Sequence, residues 1–274
     1  MTGTLHWILE TAAFAVGGLV YWRSPGATHP RMESLTRLGV VAGATLGAAL
    51  GSRLLYMLQY WSALSTQPWQ MWLGGKTIVG ALLGGLVGVE TAKAALGWHE
   101  STGNAFVKPL LVAIVIGRLG CQLSGVSDQT YGNPTALPWA WDYGDGVPRH
   151  PTSAYEILGL IVLAWLVLRP RFAPAGDSLP IGDSLADRSV VADRSVACEP
   201  GDRFRAFMCG YLLLRFALEF LKPPFAPAAI GTLMPDRWGP FSAIQWACLG
   251  GLAYYVPAGQ RWLGAPNVPP AKGN

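Results

Sequence analysis

Seven apolar stretches, separated by polar connections, run along the whole chain. A helix needs about 20 largely apolar residues to cross the hydrocarbon core of a bilayer, and each stretch approaches that length. They predict transmembrane helices at about 5–22, 38–63, 77–97, 105–124, 154–169, 206–221 and 240–257. The pattern therefore predicts an all-α polytopic membrane protein, with about seven helices in a single integral membrane domain over residues 1–274.

The third stretch is unusually rich in glycine, with Gly80, Gly84, Gly85 and Gly88. Small residues let two helices approach closely in lipid, where no hydrophobic effect drives them together. We therefore expect these glycines to serve helix packing. The first stretch lacks a basic region before it and a small-residue cleavage site after it, so it is interpreted as a retained span.

Composition agrees with a membrane protein. Hydrophobic residues make up 51% and charged residues 13% of the chain, and the mean hydropathy is +0.31, whereas soluble domains carry about 25% charged residues. The net charge of +4 is small and dispersed, which gives no reason to expect nucleic-acid binding. The four cysteines lack metal-like spacing and are expected to be small buried residues. No metal site and no cofactor is predicted.

Basic residues are concentrated in alternate connections, which sets a predicted orientation by the positive-inside rule. The first and fifth connections and the C-terminal tail are rich in arginine, while the second, fourth and sixth are poorer. This places the N-terminus outside and the C-terminus in the cytoplasm.

Two segments are predicted to lack fixed structure. Residues 170–205 contain near-repeats, Gly-Asp-Ser-Leu and Ala-Asp-Arg-Ser-Val, each present twice, which is typical of a disordered loop. Residues 258–274 are predicted to form a flexible tail.

The fourth connection is rich in Trp, Tyr, Pro and Gly, so we expect an ordered extracytoplasmic loop region. Its Asp142 and Asp145 suit a solvated turn better than a metal or acid–base pair.

Uncommon polar residues fall at the ends of spans that this topology brings to the outer face. They are Arg53, Tyr56, Gly75, Lys76, Arg118, Gln122, His150, Tyr155, Glu156, Tyr211, Arg215 and Glu219. A charge at membrane depth costs about 2.5–3.5 kcal/mol even on mild scales, and a guanidinium cannot lose its proton. Arg53, Arg118 and Arg215 therefore indicate a site for an anion at the membrane boundary.

Simpler explanations remain open for these residues. Tyr211, Arg215 and Glu219 share one helix face, where the arginine and the glutamate can neutralise each other. Arg53 and Arg118 can extend their charges to the interface. The helix after His150 can be capped by Thr152 or Ser153.

Four strings in the chain resemble the phosphatidylglycerol–prolipoprotein diacylglyceryl transferase family. They are Gly51-Ser52-Arg53-Leu54-Leu55-Tyr56, Gly117-Arg118-Leu119-Gly120, His150-Pro151-Thr152-Ser153-Ala154-Tyr155-Glu156, and Tyr211 to Phe220 with Arg215 and Glu219. The resemblance implies a bacterial inner-membrane enzyme. It would move a diacylglyceryl group from phosphatidylglycerol, or a similar anionic phospholipid, to the lipobox cysteine of a prolipoprotein, whose signal peptide is then a partner.

The resemblance also implies roles. Arg118 is assigned to the lipid phosphate, and Arg215, Tyr211 and Glu219 to the reacting head group, as the catalytic set. The expected substrate-binding set is Arg53, Tyr56, Gly75, Lys76, Gly117, Gly120, His150, Tyr155 and Glu156.

Two positions depart from the family pattern. Val79 stands where the family has a histidine after its Gly-Gly pair, and Cys121 and Ser124 stand where asparagines are usual. Valine cannot take a proton, so it cannot act as a base for the acceptor thiol. The sequence therefore supports the handling of an anionic lipid better than it supports the modification of a lipoprotein. The alternatives are a transferase with a different acceptor, a non-catalytic lipid-binding membrane protein and, more weakly, a channel or transporter.

Overall fold

The fold was examined in a computed structural model, which describes residues 2–24, 32–65, 72, 74–169, 200–223 and 235–263. Within these ranges the chain is mostly helical. The helices are α1 Thr2–Arg23, α2 Ser34–Gln59, α3 Trp61–Leu64, α4 Ile78–Ala95, α5 Asn104–Leu123, α6 Thr152–Val167, α7 Asp202–Glu219 and α8 Ala243–Leu263. Two short antiparallel hairpins pair β1 Trp141–Asp142 with β2 Pro148–Arg149, and β3 Arg237–Trp238 with β4 Phe241–Ser242.

Each of the seven predicted apolar stretches coincides with one long helix, and the fold class is confirmed as an all-α polytopic membrane protein. Three helices of the described residues are long and apolar enough to cross a membrane, namely α2, α4 and α5, while α6 is a shorter apolar helix. Many large apolar side chains face outward, as expected where lipid is the solvent, among them Phe14, Leu50, Val87 and Trp165.

Helices α2 and α4 pack backbone to backbone through their glycines. A Cβ added at Gly84 would lie 2.3 Å from the Gly47 carbonyl oxygen, and one at Gly88 would lie 2.1 Å from the Gly43 carbonyl oxygen. Only glycine allows this approach. The expected packing role is therefore confirmed at these positions. Gly85 differs, because its nearest neighbouring atom would be 3.4 Å away.

Helix α7 lies at the centre of the bundle. Its Phe207, Met208 and Leu212 are fully buried, and they form one apolar core with residues of α5, α6 and α8, including Leu160 and Cys248. The C-terminal half of the same helix carries the polar residues Tyr211, Arg215 and Glu219 of the candidate site.

The fourth connection is ordered as predicted. The Asp142 carboxylate accepts the backbone N–H groups of Gly144, Asp145 and Gly146, and the Asp145 carboxylate accepts two hydrogen bonds from Arg149 at 2.6 and 2.7 Å. This confirms the turn. Hydrogen bonding to the guanidinium lowers the pKa of Asp145.

The start of α6 differs from expectation. Pro151 occupies the N-cap, no side chain caps the helix, and Thr152 and Ser153 instead donate hydrogen bonds to Thr130. Proline suits this place because the first N–H groups of a helix have no intrahelical partner. The predicted capping by Thr152 or Ser153 is therefore wrong.

The structure also moves two predicted boundaries. Helix α7 begins at Asp202, so the end of the predicted loop 170–205 is helical. Gly201 starts the helix in the left-handed region with φ 101°, and Asp202 pairs with Arg205 at 2.9 Å. Helix α8 continues to Leu263, well into the predicted tail 258–274. Residues 170–199 and 264–274, to which the remaining predictions of disorder apply, lie outside the described residues.

Candidate active site at the ends of four helices

Arg118, at the last turns of α5, is paired with a carboxylate from the next long helix. Its Nε lies 2.9 Å from Oε2 of Glu156, and both side chains are less than a tenth exposed. The Tyr211 hydroxyl, fully buried on α7, donates a hydrogen bond to Glu156 Oε1 at 2.8 Å. Glu156 therefore joins α5, α6 and α7 at one point.

Arg215 and Glu219 form a second ion pair one turn further along α7. Arg215 Nη2 lies 2.7 Å from Glu219 Oε2, again with both side chains almost fully buried. Glu219 Oε1 is also 3.5 Å from the Gln59 amide nitrogen and 3.5 Å from the Ser242 hydroxyl. The neutralisation of Arg215 by Glu219 that the helix spacing allowed is thus present.

The two ion pairs are electrostatically one unit. Both Arg118 and Arg215 stabilise the charge of Glu156. Removing one partner from a buried pair typically costs about 3–5 kcal/mol, because it leaves an uncompensated charge. The arrangement holds two permanent positive charges at one end of the bundle, with two carboxylates as counter-ions.

Arg53, Tyr56 and Gly75 form a group beside these pairs. Arg53 Nη1 donates to the Gly75 carbonyl oxygen at 2.9 Å, and the Tyr56 ring lies against Gly75, where any Cβ would clash with it. The Tyr56 ring also packs on Tyr60, with centroids 5.0 Å apart. Arg53 thus orders the segment before α4, and Tyr60 connects it to the region of Glu219 and Arg215.

The other predicted residues lie around this centre with different contacts. Lys76 forms an ion pair with Glu10 of α1. A Cβ at Gly120 would lie 3.2 Å from Leu9 Cβ, which indicates packing against α1, whereas a Cβ at Gly117 would meet open space.

His150 belongs to the fourth connection. Its Nδ1 lies 3.2 Å from the Tyr155 hydroxyl, which also accepts a hydrogen bond from the Trp139 indole at 2.7 Å. These two predicted residues therefore order the loop that borders the start of α6.

Comparison with known proteins decides the family. The family model described as "Prolipoprotein diacylglyceryl transferase" matches residues 6–256. The phosphatidylglycerol–prolipoprotein diacylglyceryl transferase of Polynucleobacter necessarius subsp. necessarius is 31% identical over 265 residues, covering 89% of this chain and 86% of the relative. The chain belongs to the prolipoprotein diacylglyceryl transferase family. A transferase of the same name from Aromatoleum aromaticum is 28% identical over 288 residues, covering 92% and 95% of the two chains.

This family member buries Val79, the position at which the resemblance expects a histidine. Val79 is 1% exposed and belongs to the apolar core with Leu55 and Leu82. The core is therefore packed around an aliphatic side chain at this position.

Cys121 and Ser124, the other departures from the transferase pattern, have different partners, of which only that of Ser124 lies on α1. Ser124 Oγ lies 3.0 Å from His6 Nδ1, and Cys121 Sγ lies 3.7 Å from Arg118 Nη1. His6, Cys121 and Asp128 bring possible ligand atoms within 4.8 Å of one another. The sequence separation between His6 and Cys121 is too large for any spacing rule to have identified this cluster.

Sequence reasoning also missed Gln59 and Lys222. Gln59 is 1% exposed; its side-chain oxygen accepts the Ile244 N–H at 3.1 Å, which links α2 to α8. Lys222 follows α7, and burial together with the nearby Arg215 charge lowers its pKa to about 8. Both line a small cleft of about 60 Å³ over Glu219. For Gln59 the sequence offered one signal. A glutamine near the end of an apolar span can be buried, and a buried amide must find hydrogen-bond partners.

Proposed function

We propose that this chain transfers a diacylglyceryl group from phosphatidylglycerol to the lipobox cysteine thiol of a prolipoprotein. The observation that carries the proposal is the pair of buried guanidiniums, Arg118 and Arg215, held together at one end of the bundle in a member of this transferase family. Guanidinium groups bind phosphate through paired, charge-assisted hydrogen bonds.

The proposed reaction is a displacement at the glyceryl carbon. The thiolate sulfur bonds to that carbon, the carbon–oxygen bond to the phosphate breaks, and glycerol phosphate leaves with the electron pair. Negative charge grows on the phosphate oxygen as the bond breaks. Fixed positive groups close to that oxygen stabilise the transition state, and one such donor is commonly worth about 10²–10³ in rate.

Val79 gives no base for the thiol proton. A positive charge close to a thiol favours its thiolate, so the two arginines also support ionisation of the acceptor, whose proton passes to water or to the departing glycerol phosphate. Glu156 and Tyr211 would then set the position of Arg118, and Glu219 would set that of Arg215.

We further propose that this site faces the outside of the bacterial inner membrane, with the N-terminus outside and the C-terminus in the cytoplasm. The arginine-rich first and fifth connections support this orientation. Lipid donor and signal peptide would then both reach the site from the membrane.

A transfer assay tests the proposal and its alternatives. Purified protein receives phosphatidylglycerol labelled in its acyl chains and glycerol head group, with and without a lipobox peptide. Acyl label on the peptide, with one glycerol phosphate released per transfer, is the expected result. Glycerol phosphate released without peptide labelling would instead indicate another acceptor, and saturable lipid binding without turnover would indicate a binding protein.

Complementation gives an independent test in cells. Expression of this chain in a strain depleted of its own diacylglyceryl transferase is expected to restore growth and lipoprotein processing. Failure despite confirmed membrane insertion would count against the prolipoprotein as acceptor. The acceptor is in question because Val79 replaces the histidine of the family pattern.

A further inference from the structure

A sizeable cavity among the described residues has its polar end away from the arginine pairs. It encloses about 560 Å³ between α2, α4, α5, α7 and α8, within the range of about 300–1,000 Å³ typical of small-molecule sites. Apolar side chains form its deep part, including Ala48, Leu82, Leu86, Phe106 and Leu110. This part suits a hydrocarbon chain.

The polar end of the cavity lies at the opposite end of the helices from the arginine pairs. On α5, Phe106 lines the cavity and Arg118 is twelve residues later, which is about 18 Å along a helix. On α7 the same order holds, with Arg205 at the cavity and Arg215 in the candidate active site. The apolar part extends towards the candidate site as far as Ala48 on α2 and Ala81 on α4, so it is the polar end that is distinct from the arginine pairs.

Two hydroxyl groups at the polar end of the cavity have no hydrogen-bond partner in the described part of the chain. They belong to Tyr255, which is 5% exposed, and to Thr102, and both oxygen atoms are fully buried. A buried unsatisfied polar group costs about 1–3 kcal/mol, so native proteins seldom leave one without a ligand or water. Both residues line the cavity, where a bound molecule can accept their hydrogen bonds.

Charged groups surround these hydroxyls. Lys93 is 7% exposed and pairs with Glu90 at 2.9 Å, and Arg205, which pairs with Asp202, also lines the wall. Each of these cations already has a carboxylate partner, so the groups left to bind a ligand here are the hydroxyls of Tyr255 and Thr102. A group rich in hydrogen-bond acceptors fits this end.

We propose that the cavity is a second lipid site, which binds a membrane phospholipid with one acyl chain in the apolar part and its phosphodiester at Tyr255 and Thr102. In the orientation proposed above, this lipid belongs to the cytoplasmic leaflet. Transfer chemistry is not required of it, because the reacting groups lie at the other end of the bundle.

The test is lipid retention. Wild-type protein and the variants Tyr255→Phe and Tyr255→Phe/Thr102→Val are purified in mild detergent, and phospholipid phosphorus is measured per protein. Wild type is expected to retain about one molecule more than the double variant. The single variant should bind added phosphatidylglycerol about tenfold more weakly, the factor expected for one hydrogen bond.

Tyr21→Phe is the matched control. Tyr21 is also a buried helical tyrosine, 7% exposed, but it lies outside the cavity lining, so this variant should retain lipid as wild type does.

Equal lipid retention in the wild type and the double variant would overturn the proposal. Phosphatidylglycerol held at the arginine pairs, as the transferase proposal requires, contributes equally to the wild type and the variants, so the difference in retained lipid reports on this cavity whether or not the transferase proposal holds.

Discussion

Arg118 and Arg215 show what a permanent charge requires inside an apolar bundle. Each has a carboxylate within 2.9 Å, and the side chain that most reduces the cost for Arg118 is Glu156, from a different helix. The sequence correctly indicated that these arginines are costly. It could not identify Glu156 as the partner, because a contact between helices leaves no trace in local spacing.

Replacing Arg118 with alanine should reduce transfer activity by about 10²–10³-fold per folded protein, since the proposed mechanism then loses a principal charge for the leaving phosphate. The measurement is the labelled-phosphatidylglycerol assay, normalised to folded protein. Arg37→Ala is the control. Arg37 lies over the Trp22 ring, 4.0 Å from its centroid, far from the site along α2, and its loss should leave activity per folded protein near normal.

Stability and catalysis can be separated by a double variant. Arg118→Ala alone leaves Glu156 buried and unpaired, whereas Arg118→Met with Glu156→Gln removes both charges and should recover most of the lost stability. Activity should stay low in both. Recovery of activity together with stability would show that Arg118 is only structural.

Tyr211→Phe removes one hydroxyl and leaves the ring in place. The hydrogen bond to Glu156 is lost, which should cost about 1–2 kcal/mol in unfolding free energy and reduce kcat about tenfold by loosening the position of Arg118. Steady-state kinetics and thermal unfolding measure the two effects. Tyr143→Phe is the control, because Tyr143 donates to Gln122 at 3.1 Å outside the ion pairs. Unchanged kcat in Tyr211→Phe would contradict the role.

Lys222 lines the cleft over Glu219, and we predict that its ammonium contacts the lipid phosphate there, which makes lipid binding depend on pH. Its pKa is lowered to about 8, so the ammonium is present at pH 7 and largely lost at pH 9. The KM for phosphatidylglycerol should therefore rise about three- to tenfold over that range, as a charge-assisted contact is lost. Because the pKa of Lys222 is lower in the folded state, the folded protein binds fewer protons than the unfolded protein above pH 8. The free energy of unfolding therefore rises with pH above 8.

Lys222→Arg tests the assignment, because arginine keeps its charge at pH 9. This variant should show a nearly constant KM between pH 7 and pH 9. A wild-type KM that does not change over this range would exclude Lys222 from lipid binding.

At the level of elements, the close contact between α2 and α4 depends on glycine residues, because a side chain at the contact would clash with the facing helix. Gly84→Ala would place a methyl group 2.3 Å from the Gly47 carbonyl oxygen, and the helices would have to separate. We expect a loss of about 1–3 kcal/mol, measured by thermal unfolding in detergent. Gly85→Ala is the matched control, because its nearest contact is 3.4 Å, and it should change stability by less than about 0.5 kcal/mol. Equal effects would contradict the packing.

Hydropathy predicted the long helices well, because each must present an apolar surface to lipid. It predicted their ends less well. Helix α7 extends back to Asp202 through a polar first turn, Asp202 to Arg205. Hydropathy does not include this turn in the span because its residues are polar. The turn is nevertheless helical, since an acidic residue at a helix N-terminus interacts favourably with the helix dipole and pairs with Arg205. The Gly80–Gly88 row indicated close packing, but only the structure separates Gly84 from Gly85.

For the whole molecule, the predicted topology brought the right segments to one end. Arg118, Glu156, Tyr211, Arg215 and Glu219 do meet there. The sequence could not separate residues at this centre from those that support it. Nor could it reveal the cavity at the other end, since a cavity arises from what the packed helices leave unfilled.

The pairing of Arg118 with Glu156 has a consequence for how the protein enters the membrane. Arg215 and Glu219 lie on the same helix and can insert together as a neutral pair. Arg118 precedes its carboxylate by the entire fourth connection, so α5 is synthesised before its counter-ion exists. Until α6 follows, α5 carries an unpaired charge that costs about 2.5–3.5 kcal/mol at membrane depth, so α6 stabilises α5 in the bilayer as soon as Glu156 reaches Arg118.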